Sequence, residues 1–279
     1  MLGVIIFYLL KRLLQGKYPY VPLVATLIYM LHPVHTEVVS NVKSEDELLG
    51  MLFGCLSWLF VLRYVDEKKI KDWVLAAFFY LVAIHSKETP VTFLAIIPLS
   101  LYFFREKVSW QEIVKIMIPF IAVVIFFFYI RAQIFEGRIA REPNYIRNAY
   151  FLAQSGSEKA AMLLYALGYN LKLTLFPHPL VSSYFYNHVP LMQLGDPKVV
   201  FSFLAYAFLA YYSLTRLLKR HILSFAILFF GTTLSPFTNI FWKITLRCIP
   251  LTEQLFFFKI RQNWQVRNRL IWICNYTFK

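Results

Sequence analysis

The sequence predicts an all-α, multi-pass transmembrane helical bundle with about eight membrane segments. Of its 279 residues, 59% are hydrophobic and 19% aromatic, while only 16% are charged. In soluble domains about a quarter of all residues are charged. One soluble core could not bury the apolar surface of this chain. The mean hydropathy of +0.56 is also typical of a membrane protein. Strands of a membrane barrel would alternate strictly over about ten residues. The apolar runs of this chain do not alternate, so helices are expected.

Eight apolar runs are the predicted membrane segments, since a membrane-spanning helix needs roughly 20 mostly apolar residues and these meet or approach that length. In chain order they are Leu2–Leu14, Val21–Leu31, Leu48–Leu62, Trp73–Ile84, Pro90–Phe104, Ile113–Ile130, Val199–Leu214 and Ile222–Trp242. A further segment, Ala160–Phe176, either lies at the outer interface or spans the membrane. Its amphipathic spacing favours the first alternative.

The formal net charge of +14 is carried by short basic clusters between the apolar runs. Short positive loops are typical of the cytoplasmic side of a membrane protein, so this distribution argues against nucleic-acid binding. It predicts that residues 63–72 face inside and that residues 32–47 and 131–198 face outside. The three cysteines are odd in number and scattered, and Cys55 falls inside an apolar run. Cys55 is therefore expected to be a small core residue.

The predicted outer loop after the second apolar run carries the densest set of ionisable residues. A charge at membrane depth is costly, so such residues are functional candidates. Pro33 restricts the residue before it and is expected to turn His35 and Glu37 toward a cavity. The alternative is that these groups are simply solvated at a helix end. His32 and His35 could form half of a metal site, but no third ligand stands out, so no metal site is predicted.

Two further candidate groups lie at later helix ends. Lys87 and Glu88 are interpreted as a Lys–Glu pair that lines a polar cavity at the outer face. Alternatively, Glu88 is a first-turn acid favoured by the helix dipole. Arg131 directly follows the apolar run Ile113–Ile130. It is either an interfacial arginine that snorkels or a clamp for a phosphate group, which arginine grips through two parallel hydrogen bonds.

Several blocks of sequence resemble one known family. The run LHPVHTEVV (31–39), followed by NVKSEDELL (41–49), resembles the HP-x-HTE signature of the transmembrane and tetratricopeptide-repeat O-mannosyltransferases and their bacterial relatives. The turn SKET (86–89) resembles the KE turn of that family. LTLFPHPLVSSYFY (173–186) and LSPFTNIFW (234–242) resemble its later motifs. The resemblance covers residues 1–242, with the blocks in the family order.

The resemblance implies a fold of the glycosyltransferase C superfamily and transfer of a mannose-like sugar from a polyprenyl-phosphate donor. The acceptor would be a protein or glycan hydroxyl on the outer or lumenal face. The implied partners are membrane lipids, the lipid-linked donor and the acceptor, and a divalent metal is compatible with the family chemistry. The membrane would be the bacterial inner membrane or, in a eukaryote, the endoplasmic reticulum. The candidate catalytic residues are Glu37 and Asp46, and the candidate substrate- and phosphate-binding residues are His35, Lys87, Glu88 and Arg131.

The sequence departs from the family pattern at both ends. The acidic pair that the family carries in a long outer loop has no counterpart, so residues 1–242 are expected to be an N-terminally truncated transferase domain. The tail 243–279 holds seven Lys/Arg and one acid and matches no family motif, as a reading-frame change would explain. We therefore expect an incomplete fragment that inserts in membranes but transfers no sugar. The alternatives are a non-enzymatic transporter or flippase of lipid-linked sugars, and a non-functional gene product.

Overall fold

The computed structural model describes residues 1–135, 153, 155–180 and 190–237, apart from the side chains of Glu37, Lys43 and Phe135. In these ranges every regular element is helical and no strand occurs, which confirms the all-α prediction for this part of the chain. The predicted tail 243–279 lies outside the described residues. The α-helices are α1 (Leu2–Leu13), α2 (Val21–Leu31), α3 (Thr36–Ser40), α4 (Glu45–Glu67), α5 (Ile70–Ser86), α6 (Phe93–Phe104), α7 (Trp110–Phe135), α8 (Gly156–Leu175), α9 (Pro197–Leu217) and α10 (Ile222–Leu234); short 3₁₀ turns span Pro33–His35, Val42–Ser44, Thr89–Thr92 and Ser235–Phe237.

Three of the described helices are long and apolar enough to cross a membrane, namely α4, α9 and residues Trp110–Ile134 of α7. The apolar segments Val21–Leu31, Thr89–Phe104 and Ile222–Leu234 are shorter. The structure thus supports membrane-spanning helices at three of the eight predicted segments. For the other five segments, membrane spanning stays a prediction. Helix α8 begins with a reciprocal capping box between Ser155 and Glu158, a strong helix-start signal.

Helix α4 forms the centre of the bundle and packs against α1, α5 and α6. It reverses into α5 through Lys68, whose left-handed backbone (φ 55°) ends α4. Buried polar groups on α4 have partners on the neighbouring helices: Ser57 Oγ donates to the carbonyl of Ala76 (2.8 Å), and Trp58 Nε1 donates to Ser100 Oγ (2.8 Å). Such pairing is required in an apolar interior, because an unpaired polar group there is costly.

Arg105 organises the end of the bundle where α1, α4 and α6 terminate, which we call the basic end. Its side chain is 5% exposed. The guanidinium donates from Nε to Asp66 Oδ1 (2.7 Å) and from Nη2 to Asp66 Oδ2 (3.1 Å). It also donates to the carbonyls of Arg12 (3.0 Å) and Leu13 (3.2 Å) in the last turn of α1, where carbonyls lack a complete set of helical partners. Arg12 in turn contacts Asp66 (3.0 Å) and Glu67 (2.7 Å), so three helix ends share one network.

Candidate active site at the acid-bearing end

Four helix termini meet at the opposite end of the bundle, which we call the acid-bearing end. Helices α4 and α6 begin there, while α5 and α7 end there. The first turn of α4 carries Glu45, Asp46 and Glu47, and acids are favoured at the positive end of a helix dipole. Arg131 lies near the end of α7, where the dipole favours a cation. The topology therefore brings acids from one helix start to cations from two helix ends.

Lys87 is the centre of the first cluster. Its ammonium donates to Asp46 Oδ2 (2.7 Å) and lies 3.4 Å from Glu47 Oε1. Thr89 Oγ1 donates to the other oxygen of Glu47, Oε2 (3.1 Å). Burial alone would lower the pKa of Lys87, but the hydrogen bond to Asp46 and the charge of Glu47 outweigh it and raise that pKa. Lys87 is therefore held as a cation by its two carboxylate partners.

Arg131 and Glu88 form the second cluster. Arg131 Nη1 lies 2.7 Å from Glu88 Oε2, and the two side chains are 11% and 37% exposed. The guanidinium also lies over the ring of Phe127, with 5.8 Å between its carbon and the ring centroid. This low exposure does not fit the interpretation of Arg131 as an interfacial arginine whose side chain reaches into water. The geometry is that of a buried cation with a carboxylate as its counter-ion.

Lys87 and Glu88 do not pair with one another, although the sequence suggested that they would. Lys87 ends α5 with an extended backbone (φ −153°, ψ 154°), whereas Glu88 has helical angles (φ −78°, ψ −19°), so the backbone changes direction between the two residues. Lys87 therefore contacts α4, while Glu88 contacts α7. Three ion pairs, two made by Lys87 and one by Glu88, replace the single predicted pair.

Two glycines on α4 make room for this turn. A Cβ at Gly50 would lie 3.2 Å from both Lys87 Cβ and Pro90 Cγ, and a Cβ at Gly54 would lie 2.6 Å from the Phe93 ring. The close approach brings the turn at Lys87 to the first turn of α4, where Asp46 lies. The spacing Gly50-x-x-x-Gly54 in an apolar helix is a known signal for close helix packing. This glycine spacing is a signal in the sequence that the site prediction left unused, and Glu47 and Thr89 were not among the predicted site residues.

His35 is not joined to either cluster by any hydrogen bond or ion pair among the described contacts. Its ring packs on Tyr29, with 4.4 Å between the centroids, and lies 6.1 Å from the ring of His32. Burial, and then the neighbouring His32, lower the pKa of His35. His32 Nε2 makes a hydrogen bond with the carbonyl of Thr174 on α8 (3.1 Å). The backbone of Glu37 lies in α3, and its side chain is outside the described part of the structure.

No group of three His, Cys, Asp or Glu side chains that could hold a metal ion occurs in the described ranges. A cleft of about 640 Å³ lies at the basic end, with Trp73, Glu112 and Lys115 among its lining residues. It contains none of the candidate site residues. The chemistry available at the acid-bearing end is therefore that of carboxylates and two cations, which can accept a proton and compensate a phosphate charge.

Residues 1–134 match the family described as dolichyl-phosphate-mannose-protein mannosyltransferase. The O-mannosyltransferase resemblance inferred from the sequence motifs is therefore confirmed, and the matched range includes all six candidate site residues. Together with the apolar helices, this match defines a glycosyltransferase-like membrane protein.

A mouse (Mus musculus) relative, "Protein O-mannosyl-transferase TMTC4", is 37% identical to this chain over 86 residues. The alignment covers 28% of this chain and 12% of the mouse protein. The chain thus matches only a small part of the length of that relative. No solved structure matches the chain.

Proposed function

We propose that this chain is part of a membrane glycosyltransferase that binds a polyprenyl-phosphate sugar, mannose or a close relative, at its acid-bearing end. The acceptor is a protein or glycan hydroxyl. The observation that carries the proposal is the presence of two cations, the largely buried Arg131 and the partly buried Lys87, at an end rich in carboxylates. A phosphate that leaves during transfer gains charge, and fixed cations stabilise that charge.

The roles follow from the chemistry of an inverting transfer. The acceptor oxygen forms a bond to the anomeric carbon while the bond from that carbon to the phosphate oxygen breaks, and the phosphate departs with the electron pair. Arg131 and Lys87 are proposed to contact the phosphate. A carboxylate must take the acceptor proton as the new bond forms, and Asp46 and Glu37 are the proposed candidates. The hydrogen bond between Lys87 and Asp46 holds the Asp46 carboxylate next to one of the two cations proposed to contact the phosphate.

Donor binding by the full chain in nanodiscs tests this function. We expect a radiolabelled polyprenyl-phosphate mannose to bind the wild type and to lose about tenfold or more in affinity in Arg131→Gln, because a charge-assisted contact is lost. The matched control is Arg216→Gln, which removes an exposed cation near the end of α9 and should leave affinity unchanged. Equal affinity in all three proteins would contradict the assignment.

Transfer is proposed to need a carboxylate base, for which Glu37 and Asp46 are the candidates in this chain. Replacing the carboxylate that acts as base by its amide should lower the transfer rate by roughly 10²–10⁴. Mass spectrometry of an acceptor peptide after incubation measures this. Transfer that Glu37→Gln abolishes would identify Glu37 as the base, whereas transfer that neither Glu37→Gln nor Asp46→Asn slows would contradict both candidates. Donor movement across liposome membranes without transfer would favour a flippase instead.

A further inference from the structure

Glu88 occupies the position on Arg131 that an anionic ligand would need. The Arg131 side chain is 11% exposed while that of Glu88 is 37% exposed, so a ligand from outside meets the carboxylate before the guanidinium. Glu88 Oε2 lies 2.7 Å from Arg131 Nη1, a distance typical of charge-assisted contacts between nitrogen and a carboxylate or phosphate oxygen. One oxygen of Glu88 therefore stands where a phosphate oxygen would bind.

The two clusters carry no excess positive charge that a ligand could compensate. Among the described residues, the contacting side chains are three carboxylates and two cations, Asp46, Glu47, Glu88, Lys87 and Arg131. Their formal sum is one negative charge. A phosphate added to this set would increase the uncompensated negative charge in a partly buried place, where such charge is costly. Binding therefore requires that one carboxylate give up its cation.

Glu88 is the carboxylate that the contacts hold least. Asp46 contacts Lys87 and also accepts from the backbone N–H of Glu47 through Oδ1 (2.8 Å). Glu47 contacts Lys87 and accepts from the hydroxyl of Thr89. Among the described residues, the Glu88 side chain has no partner besides Arg131. Displacing Glu88 breaks one contact, whereas displacing either of the others breaks two.

From these contacts we infer that Glu88 is a built-in competitor that the phosphate of the lipid donor displaces from Arg131. The inference rests on the proposed function, because it takes a phosphate ligand for granted. Released Glu88 turns toward solvent, and Arg131 exchanges one oxyanion partner for another. Glu88 thereby sets the affinity of the site and favours ligands whose anionic group outcompetes a carboxylate.

Binding of farnesyl monophosphate to the full chain in zwitterionic nanodiscs tests the inference, with farnesol as the uncharged probe. Glu88→Gln should bind the phosphate roughly fivefold or more tightly than wild type, because no charged contact must be broken. Glu88→Ala should act in the same direction. Farnesol affinity should stay unchanged in both variants. A general structural effect of the substitutions would instead alter the binding of farnesol as well.

The matched control is Glu45→Gln, which removes an exposed acid from the first turn of α4, at the same end of the bundle. It should change phosphate affinity by less than about twofold, because exposed charges interact weakly. Unchanged or weaker phosphate binding in both Glu88 variants, with preserved preference for phosphate over farnesol, would overturn the inference and leave the proposed function standing. No preference for the phosphate in any of the proteins would overturn both.

Discussion

The two ends of the bundle use charged residues in different ways. At the basic end, one buried arginine, Arg105, bonds to a carboxylate of α4 and to two carbonyls of α1. At the acid-bearing end, the buried Arg131 has Glu88, a side chain that is itself 37% exposed, as its ion-pair partner. The first arrangement ties backbone and side chains of three helices together. The second leaves a carboxylate that can be exchanged, as a binding site requires.

Burial of an arginine therefore does not by itself indicate a ligand-binding site. Backbone carbonyls cannot leave, so the contacts of Arg105 are fixed for as long as α1 and α4 are folded. A glutamate side chain can rotate away at small cost. The nature of the partner, more than the exposure of the cation, separates the structural arginine from the proposed ligand-binding one.

The largest expected effect on stability is at the basic end. Arg105→Gln should lower the free energy of unfolding by about 3 kcal/mol, because it removes a buried cation that contacts Asp66 and two carbonyls of α1. Thermal or denaturant unfolding in detergent measures this. Lys107→Gln, an exposed lysine two residues away, should cost less than about 0.5 kcal/mol. Equal effects of the two substitutions would remove the structural role assigned to Arg105.

Gly54→Ala should have an intermediate effect and act on the acid-bearing end. The new Cβ would lie 2.6 Å from the Phe93 ring, and overpacking of this kind costs about 1–3 kcal/mol. Gly231→Ala on α10 is the matched control, since a Cβ there meets nothing within 4 Å. It should be neutral or stabilise the protein by up to about 1 kcal/mol. If Gly54→Ala is as well tolerated as Gly231→Ala, α4 does not approach the turn as described.

The smallest expected effect is that of the Lys87–Asp46 pair. A double-mutant cycle with Lys87→Gln and Asp46→Asn should give a coupling energy of about 0.5–1 kcal/mol, since both side chains are partly exposed. The raised pKa of Lys87 means that this lysine contributes fully below its unfolded value near 10.5 and loses the contribution only as the pH rises through the folded pKa. A vanishing coupling energy at pH 7.5 would show that the pair is not formed.

The helices were predictable because apolar runs are a strong local signal. Their ends were not: the run Leu48–Leu62 belongs to a helix that extends from Glu45 to Glu67. Hydropathy detects only the apolar part of a helix, whereas charged first and last turns are still helical. The predicted run Pro90–Phe104 begins instead as a 3₁₀ turn at Thr89–Thr92, where Pro90 lacks the N–H that a regular helix would use.

The candidate site was predictable by residue type but not by pairing. Lys87, Glu88 and Arg131 could be chosen because charges beside apolar runs are costly. Which side chains meet depends on the extended backbone at Lys87 and on the close approach at Gly50, and both are properties of the folded chain. His35 was grouped with them from its position after Pro33, but its ring packs on Tyr29 instead.

Photo-cross-linking with a photoactivatable polyprenyl monophosphate compares the two ends directly. If the acid-bearing end binds the donor phosphate, peptide mapping should find the label near the first turn of α4, the turn at residues 86–92 or the end of α7. Unlabelled donor should compete, and Arg131→Gln should remove most of the label. Label concentrated in the cleft at the basic end, around Trp73 and Lys115, and unaffected by Arg131→Gln, would contradict the account.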